Sequence, residues 1–313
     1  MTASGTVHDP AFDPKLVDVE MHVVPPTAPV TGVVTANELC LRGKSASFIR
    51  HVCIDVGGTP LEGRFQAGQS FGVVPVGVDE RGKPHKVRLY SIASPTRGED
   101  GEGRILSTTC KRLIDEYRPQ TERDEARTGL FHGVCSNQVC DLSPGDEVLV
   151  TGPVGKRFVL PAEPENHDYL FLATGTGIAP FRAFLQDREA AGAGGPNWLF
   201  FGEHSRDSGY YYSDEIEAWL KGGLLTRFDT AFSRDQAEKI YVQHRMAENG
   251  REIWDWLQEG AHFYVCGDAS RMAKDVDAAL RTIAETHGGL SQAAAEGYVK
   301  TLIREKRYMR DVY

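Results

Sequence analysis

The chain has 313 residues, 41% of them hydrophobic, and 44 acids against 35 bases give a formal net charge of -9. That length accommodates two domains with a core each, the charge argues against a nucleic-acid binder, whose phosphate contacts need a basic surface, and no apolar run approaches the roughly 20 residues that span a bilayer. The opening segment has neither the basic-then-apolar order of a secretory signal nor the Arg-richness of a transit peptide, since Asp9, Asp13, Asp18 and Glu20 precede the first arginine, Arg42, so a cytoplasmic protein is expected.

The first half reads as β structure. Runs rich in Val, Ile and Thr (Phe48 to Val56, Ser70 to Val76, Val87 to Ile92, Glu147 to Thr151) are separated by Gly, Pro and charged turns, a spacing that predicts a barrel or sandwich. Between Asp115 and Gly129 five acids and three arginines leave almost nothing apolar, and a solvated loop is expected. Six cysteines (Cys40, Cys53, Cys110, Cys135, Cys140, Cys266) form no CxxC pair and lie mostly in apolar or strand-like text, so reduced thiols are expected and no metal ligands are assigned.

The character changes at Ala162 to Asp168, a Pro- and acid-containing linker. Beyond it, short apolar strands (Tyr169 to Ala173, Asn197 to Gly202, Asp229 to Phe232, His262 to Cys266) alternate with helical stretches such as Pro180 to Ala191. Strand-loop-helix repetition predicts a parallel sheet with right-handed crossovers. A final helix, about Ser291 to Arg307, runs into a short tail ending in Tyr313. The expected organisation is therefore an antiparallel β-barrel domain over 1–162, with 1–27 as an extension, followed by a parallel-sheet α/β domain over 163–313.

Several segments carry chemistry. Arg88-Leu89-Tyr90-Ser91-Ile92-Ala93-Ser94 alternates so that a cation and a flat ring share one face, although pattern alone also fits a half-buried strand. Gly133-Val134-Cys135-Ser136-Asn137, leading to Cys140, is small enough for backbone N–H groups to approach a phosphate, or is simply a turn holding buried cysteines. Thr174-Gly175-Thr176-Gly177-Ile178-Ala179-Pro180 follows a strand and opens a helix, a place where a phosphate can meet the positive helix end. Pro180 replaces the third Gly of the common dinucleotide fingerprint. After the next-but-one strand stand Ser233-Arg234, where a carboxylate for the ribose would otherwise be expected; a hydroxyl and a guanidinium suit a 2′-phosphate instead. Lys239, Tyr241 and Gln243 then offer a cation, a ring and an amide at alternate positions. Cys266 closes a strand where open parallel sheets place their ligand crevice, and also fits a plain buried residue.

Together these segments resemble the plant-type ferredoxin-NADP reductase family, in the family's order, from about residue 28 to the end. The resemblance implies an FAD-binding barrel and an NADP(H)-binding α/β domain. By this likeness Arg88 contacts the FAD pyrophosphate, Tyr90 packs on the isoalloxazine and Ser91 lies near flavin N5, with Gly133, Cys135 and Ser136 forming the second flavin segment. Thr109 to Leu113 is similar to the strand whose Lys111 and Arg112 face the nucleotide cleft, with Thr109 where plant-type members often have Cys. The same likeness gives Thr174, Gly175, Thr176 and Gly177 to the nucleotide, and Ser233, Arg234, Lys239, Tyr241 and Gln243 to the adenosine phosphate. Cys266 shapes the nicotinamide pocket. Tyr313 stacks on the flavin face that the nicotinamide must reach. Asp311, one methylene shorter than the family's usual Glu, is linked to proton delivery through Ser91. The implied activity is electron transfer between NADP(H) and ferredoxin or flavodoxin, by hydride transfer at flavin N5 and then one-electron steps. The five bases among Lys300, Arg304, Lys306, Arg307 and Arg310, with Lys83, Lys86 and Arg88, would meet an acidic carrier unless they are ordinary solvated surface. Two other readings remain open at this point: a reductase dedicated to one oxygenase or desaturase, and a catalytically silent flavin-binding docking subunit.

Overall fold

A computed structural model describes residues 14–41, 48–116 and 129–313, and divides into two compact units. The first spans Val19–Lys156, with Asp207–Tyr211; the second takes Arg157–Arg206 and Tyr212–Tyr313, joined by residues 14–18. Arg157 to Ala162 therefore groups with the second unit rather than with the barrel. Phe158 is the reason: its ring packs edge-on to Tyr264 at 5.3 Å and beside Phe184 at 5.9 Å, while Tyr264 Oη donates to the Val159 carbonyl.

The barrel unit is built from β1 (Val30–Leu39), β2 (Ile49–Asp55), β3 (Ser70–Val74), β4 (Arg88–Ser91), β5 (Ile105–Lys111) and β8 (Glu147–Val154), antiparallel in the order β4-β3-β8-β1-β2-β5. The two edges meet through a bridge between Ile92 and Thr108, which closes the sheet and leaves no edge strand open there. Val52, Ile54, Val73, Leu106 and Val150 fill the interior. Alternation along each strand turns their neighbours outward. Between β5 and β8, β6 (Ile114–Glu116) pairs with β7 (Leu130–His132), and α1 (Val134–Asp141) follows. The two ends of the acidic segment thus form a hairpin stem, and its residues 117–128 lie outside the described residues. Where the sequence suggested a turn at Gly133 to Asn137, a two-turn helix stands instead. It buries Cys135, Val139 and Cys140.

The second unit holds a five-stranded parallel sheet in the order β11-β10-β9-β12-β13, formed by β9 (Tyr169–Thr174), β10 (Asn197–Glu203), β11 (Arg227–Phe232), β12 (His262–Gly267) and β13 (Tyr308–Val312). The crossovers carry α2 (Ala179–Ala190), α4 (Ser213–Gly222), α5 (Val242–Glu248), α6 (Gly250–Gln258), α7 (Met272–Gly288) and α8 (Gln292–Arg304); the short α3 (Arg206–Gly209), between β10 and α4, groups from Asp207 onward with the first unit. Burial on both faces explains why β9 and β12 read as unbroken apolar runs. Tyr169 and Phe171 meet Phe181, Phe184 and Tyr264 on one side, while Leu170 and Leu172 meet the core formed with α5, α6 and α7 on the other. The segment expected as a tail is the edge strand β13. Tyr308, 2% exposed, stacks on Phe263 at 5.4 Å, and parallel pairing from Phe263–Tyr308 to Gly267–Val312 satisfies the free edge of β12.

At the opposite end of β12 from the turn glycines, His262 is 1% exposed and packs against the His167 ring at 4.7 Å. Burial, with His167 and Arg307 adding positive charge nearby, depresses its pKa to about 3. A histidine held neutral in the fold but able to protonate when unfolded contributes stability above its unfolded pKa near 6.5 and loses it as pH falls toward the folded value. We expect this one group to cost about 2 kcal/mol on going from pH 8 to pH 5. Urea midpoints across that range check it: His262→Gln should flatten the slope, and an unchanged slope would rule the assignment out.

Candidate functional site

In the second unit Thr174 to Gly177, Ser233, Arg234, Cys266, Asp311 and Tyr313 fall at or just past the C-terminal ends of parallel strands, where such sheets bind ligands, while Lys239, Tyr241 and Gln243 lie at the start of the helix beyond β11. The strand order reverses between β9 and β12, and two glycines stitch that switch point together. A Cβ on Gly177 would lie 2.2 Å from the Cys266 carbonyl oxygen, and one on Gly267 would lie 2.4 Å from Thr174 Oγ1. Gly175 adopts φ +55°, so the chain leaves β9 through a left-handed residue into the 3-10 turn Gly175–Ile178 and then α2. Pro180 sits in the first turn of α2, where no N–H is missed. Arg182 is 6% exposed, donates to both Glu215 oxygens at 2.8 and 3.1 Å and stacks on Tyr212, so it anchors α2 to α4.

Cys266 is fully buried and in register with Asp311 on β13. Burial first, then the Asp311 carboxylate, pushes its thiol well above the ordinary value, so it stays protonated and is a poor nucleophile. Tyr313 is 60% exposed; its N–H donates to the Gly267 carbonyl at 3.1 Å, and its hydroxyl shares a 2.9 Å hydrogen bond with Thr176 Oγ1. The terminal ring thus spans from the edge strand to the glycine turn.

Ser233 and Arg234 follow β11 with their N–H groups donated to the carbonyls of Glu203 and His204. This fixes them at the ends of β10 and β11, Ser233 7% exposed and Arg234 exposed. Lys239 is exposed, and Tyr241 is 43% exposed at the N-cap of α5. Gln243 lies within α5 and donates to Asp275 on α7 at 3.1 Å, so the expected alternation of Lys239, Tyr241 and Gln243 along an extended stretch breaks at the helix start. Buried Val242, packed into the core against β10, sets that helix phase. The sequence reading missed Arg206, which opens α3 right after β10. Its guanidinium lies 5.4 Å from the Phe232 ring, and its N–H donates to Asp235, two residues from Ser233. A basic residue just past a strand's C-terminal end was the signal available.

In the barrel unit, Tyr90 on β4 is half-buried with its hydroxyl against the thiols of Cys135 and Cys110. Burial pushes the pKa of that hydroxyl far up, and the Cys110 thiol is raised by its hydrogen bond to Cys140, 3.8 Å away, and by burial. Ser91 is half-buried beside it, its carbonyl accepting from Thr108 Oγ1 at 2.8 Å. Arg88 is exposed and leans back on the carbonyls of Lys86 and Val87, and Lys111 is exposed at the end of β5. Arg112 is spent on Asn137 and Asp141, which ties β5 to α1. Ser136 Oγ accepts from the Leu113 N–H at 3.1 Å and donates to the Gly133 carbonyl at 3.3 Å; its side chain positions the helix. α1 opens without a side-chain cap, and a Cβ on Gly133 would meet Ser136 Oγ at 2.7 Å and Leu113 Cβ at 2.9 Å. An uncapped helix end beside a tightly packed glycine fits a dinucleotide phosphate, and the adjoining Tyr90 ring fits a flat heterocycle.

Of the five bases between 300 and 310, Lys300, Arg304 and Arg310 are exposed and Arg307 is withdrawn from the surface. Arg307 is 4% exposed, its guanidinium bound to the Leu257 and Ala261 carbonyls, and Arg310 lies 3.7 Å from Asp277.

Comparison with known proteins defines the class. Residues 171–278 match the oxidoreductase NAD-binding domain family, so the second unit is an NAD-binding oxidoreductase domain. An antiparallel barrel followed by this domain is the two-domain fold of the ferredoxin reductase-like superfamily. Within it, the chain is similar to the sulfite reductase [NADPH] flavoprotein alpha-component of Shewanella oneidensis, 47% identical over 231 residues, which are 74% of this chain and 36% of that protein. The corresponding protein of Vibrio cholerae is 48% identical over 226 residues (72% and 35%), and that of Serratia proteamaculans 44% over 231 (74% and 37%). The chain spans little more than a third of the length of these relatives. No helix among the described residues is long and apolar enough to cross a membrane.

Proposed function

We propose that the chain is an NADPH-dependent flavoprotein reductase serving a dedicated acceptor, as a component of a larger electron-transfer system. Its cofactors are FAD and NADP(H). FAD is assigned to the barrel unit, Val19–Lys156, and NADP(H) to the α/β unit that begins at Arg157. When bound, FAD would supply the conversion of one hydride's electron pair into two single electrons. The chain's own residues do the rest. Arg88, Lys111 and the amides at the start of α1, with Gly133, Cys135 and Ser136, hold the flavin phosphates. Tyr90 backs the ring. The Thr174 to Gly177 turn, with Ser233, Arg234, Lys239, Tyr241 and Gln243, holds the nucleotide, and the protonated Cys266 shapes the nicotinamide pocket. Ser91 and Asp311 handle the proton, and Tyr313 gives way when nicotinamide enters.

The observation that carries this reading is the shared 231-residue span with the sulfite reductase [NADPH] flavoprotein alpha-component of Shewanella oneidensis, a protein whose name couples NADPH to flavin. Transfer to free ferredoxin or flavodoxin is the weaker reading, because burial of Arg307 and pairing of Arg310 remove part of the basic surface an acidic carrier needs. Steady-state turnover of the FAD-loaded protein with NADPH separates the two. We expect fast dye reduction, and with ferredoxin or flavodoxin only slow transfer that never saturates. Saturation by either carrier at micromolar concentration would restore the carrier reading, and yellow protein that reduces no dye would mark a silent docking subunit.

A further inference from the structure

On the outer face of the barrel, at residues given no role above, three donors of different chemistry converge. His51 and Cys53 stand two apart on β2 and so share a face, opposite to core-filling Val52 and Ile54. Glu99, from the segment between β4 and β5, reaches the same point: Glu99 Oε1 lies 3.4 Å from His51 Nε2 and accepts from Ser107 Oγ at 2.6 Å. Ser107 is the register partner of Cys53 on β5. One ligand atom from each of His51, Cys53 and Glu99 falls within 4.8 Å of the others.

We propose that His51, Cys53 and Glu99 form a zinc site. Tetrahedral zinc, with Zn–N and Zn–O near 2.0–2.1 Å, sets neighbouring N and O ligands about 3.4 Å apart, and a thiolate at 2.3 Å sets N and S about 3.6 Å apart. The His51–Glu99 separation already has the first value, and the thiol needs at most a shift of about 1 Å, within the reach of a small side-chain and backbone adjustment. Mixed imidazole, thiolate and carboxylate donors favour zinc over the all-oxygen ligation of calcium or magnesium. The side chains of His51 and Glu99 are 12% and 20% exposed, enough for entry of an ion and for water as a fourth ligand. The site would pin the segment after the flavin strand to β2. The framework is preset, since Glu99 donates its own N–H to the Ile105 carbonyl at 2.8 Å and Gly98 to Pro95 at 2.9 Å.

Cobalt is the probe. The full-length, FAD-loaded protein, stripped with chelator, is titrated with Co2+ and read by the long-wavelength ligand-field bands of tetrahedral cobalt, clear of oxidised flavin absorption; native mass spectrometry then counts zinc. We expect one ion per chain, loss of the tetrahedral spectrum in Cys53→Ser, and affinity lowered about 10–100-fold in Glu99→Gln, with circular dichroism showing both variants folded. Zinc should raise the melting temperature of the native protein, and in Glu99→Gln much less at the same concentration. No uptake at tens of micromolar metal overturns the proposal, and so does a tetrahedral spectrum that survives in Cys53→Ser, which would put the ion on other cysteines.

Discussion

Alanine at Gly177 is expected to cost the nucleotide domain about 3–5 kcal/mol, roughly a 10 °C fall in its melting temperature, and to abolish NADPH binding. The reason is backbone against backbone. The new Cβ would lie 2.2 Å from the Cys266 carbonyl oxygen, 2.5 Å from its carbon and 2.9 Å from the Gly267 nitrogen. No flexible side-chain end can move aside, so either β9 and β12 separate at the switch point or the 3-10 turn moves off them. Both displace Thr174, Thr176 and Cys266 together.

Gly175 supplies the control. Its own Cβ would make only an ordinary 3.5 Å contact with Glu203 Oε2, and its cost is the left-handed φ of +55°, about 1–2 kcal/mol for alanine. Thermal melts of the two variants should therefore separate by at least 1 kcal/mol, with Gly177→Ala the worse. Equal losses would mean that backbone conformation, not the close approach to β12, makes the turn require glycine.

Much of this geometry was legible in the sequence because it is local. An apolar run ending in Thr174-Gly175-Thr176-Gly177 and followed by Pro180 carries its strand, turn and helix start within a dozen residues, and periodicity reads such signals directly. The parallel sheet followed from repetition of the same unit. What stayed hidden depends on partners distant in the chain. Tyr308 to Val312 is a strand because β12 offers an unpaired edge, which nothing within the tail announces. Arg307 looks like one more surface base beside Lys306, yet a cluster of carbonyls ending α6 draws it inside. α1 lacks strong helix formers in its first turn; contact of Cys135 and Cys140 with the barrel core, and Arg112 bridging to Asp141, hold it. The convergence of His51, Cys53 and Glu99 needs the β2–β5 register, so composition and spacing gave no sign of it.

The second large effect concerns coenzyme choice, and it follows from charge at the ends of β10 and β11. Backbone bonds to Glu203 and His204 hold Ser233 and Arg234 in place before any ligand arrives. Preorganised donors lose little entropy when a phosphate binds. A 2′-phosphate engaging the Arg234 guanidinium and the Ser233 hydroxyl forms charge-assisted hydrogen bonds of about 1.5–3 kcal/mol each, so the double variant Ser233→Ala, Arg234→Ala should lose two to four orders of magnitude in kcat/KM for NADPH. NADH has no phosphate there and should change less than about threefold. On the proposed assignment the residues touch only the distal end of the nucleotide, so KM should carry the loss while kcat stays nearly constant. Arg206, its guanidinium 5.4 Å from the Phe232 ring and its N–H donated to Asp235, is close enough in space to share the phosphate, so adding Arg206→Ala to the double variant should lower NADPH turnover further. Dye-linked assays with both coenzymes decide it: parallel losses for NADPH and NADH would show that the substitutions disturb the sheet end rather than phosphate recognition.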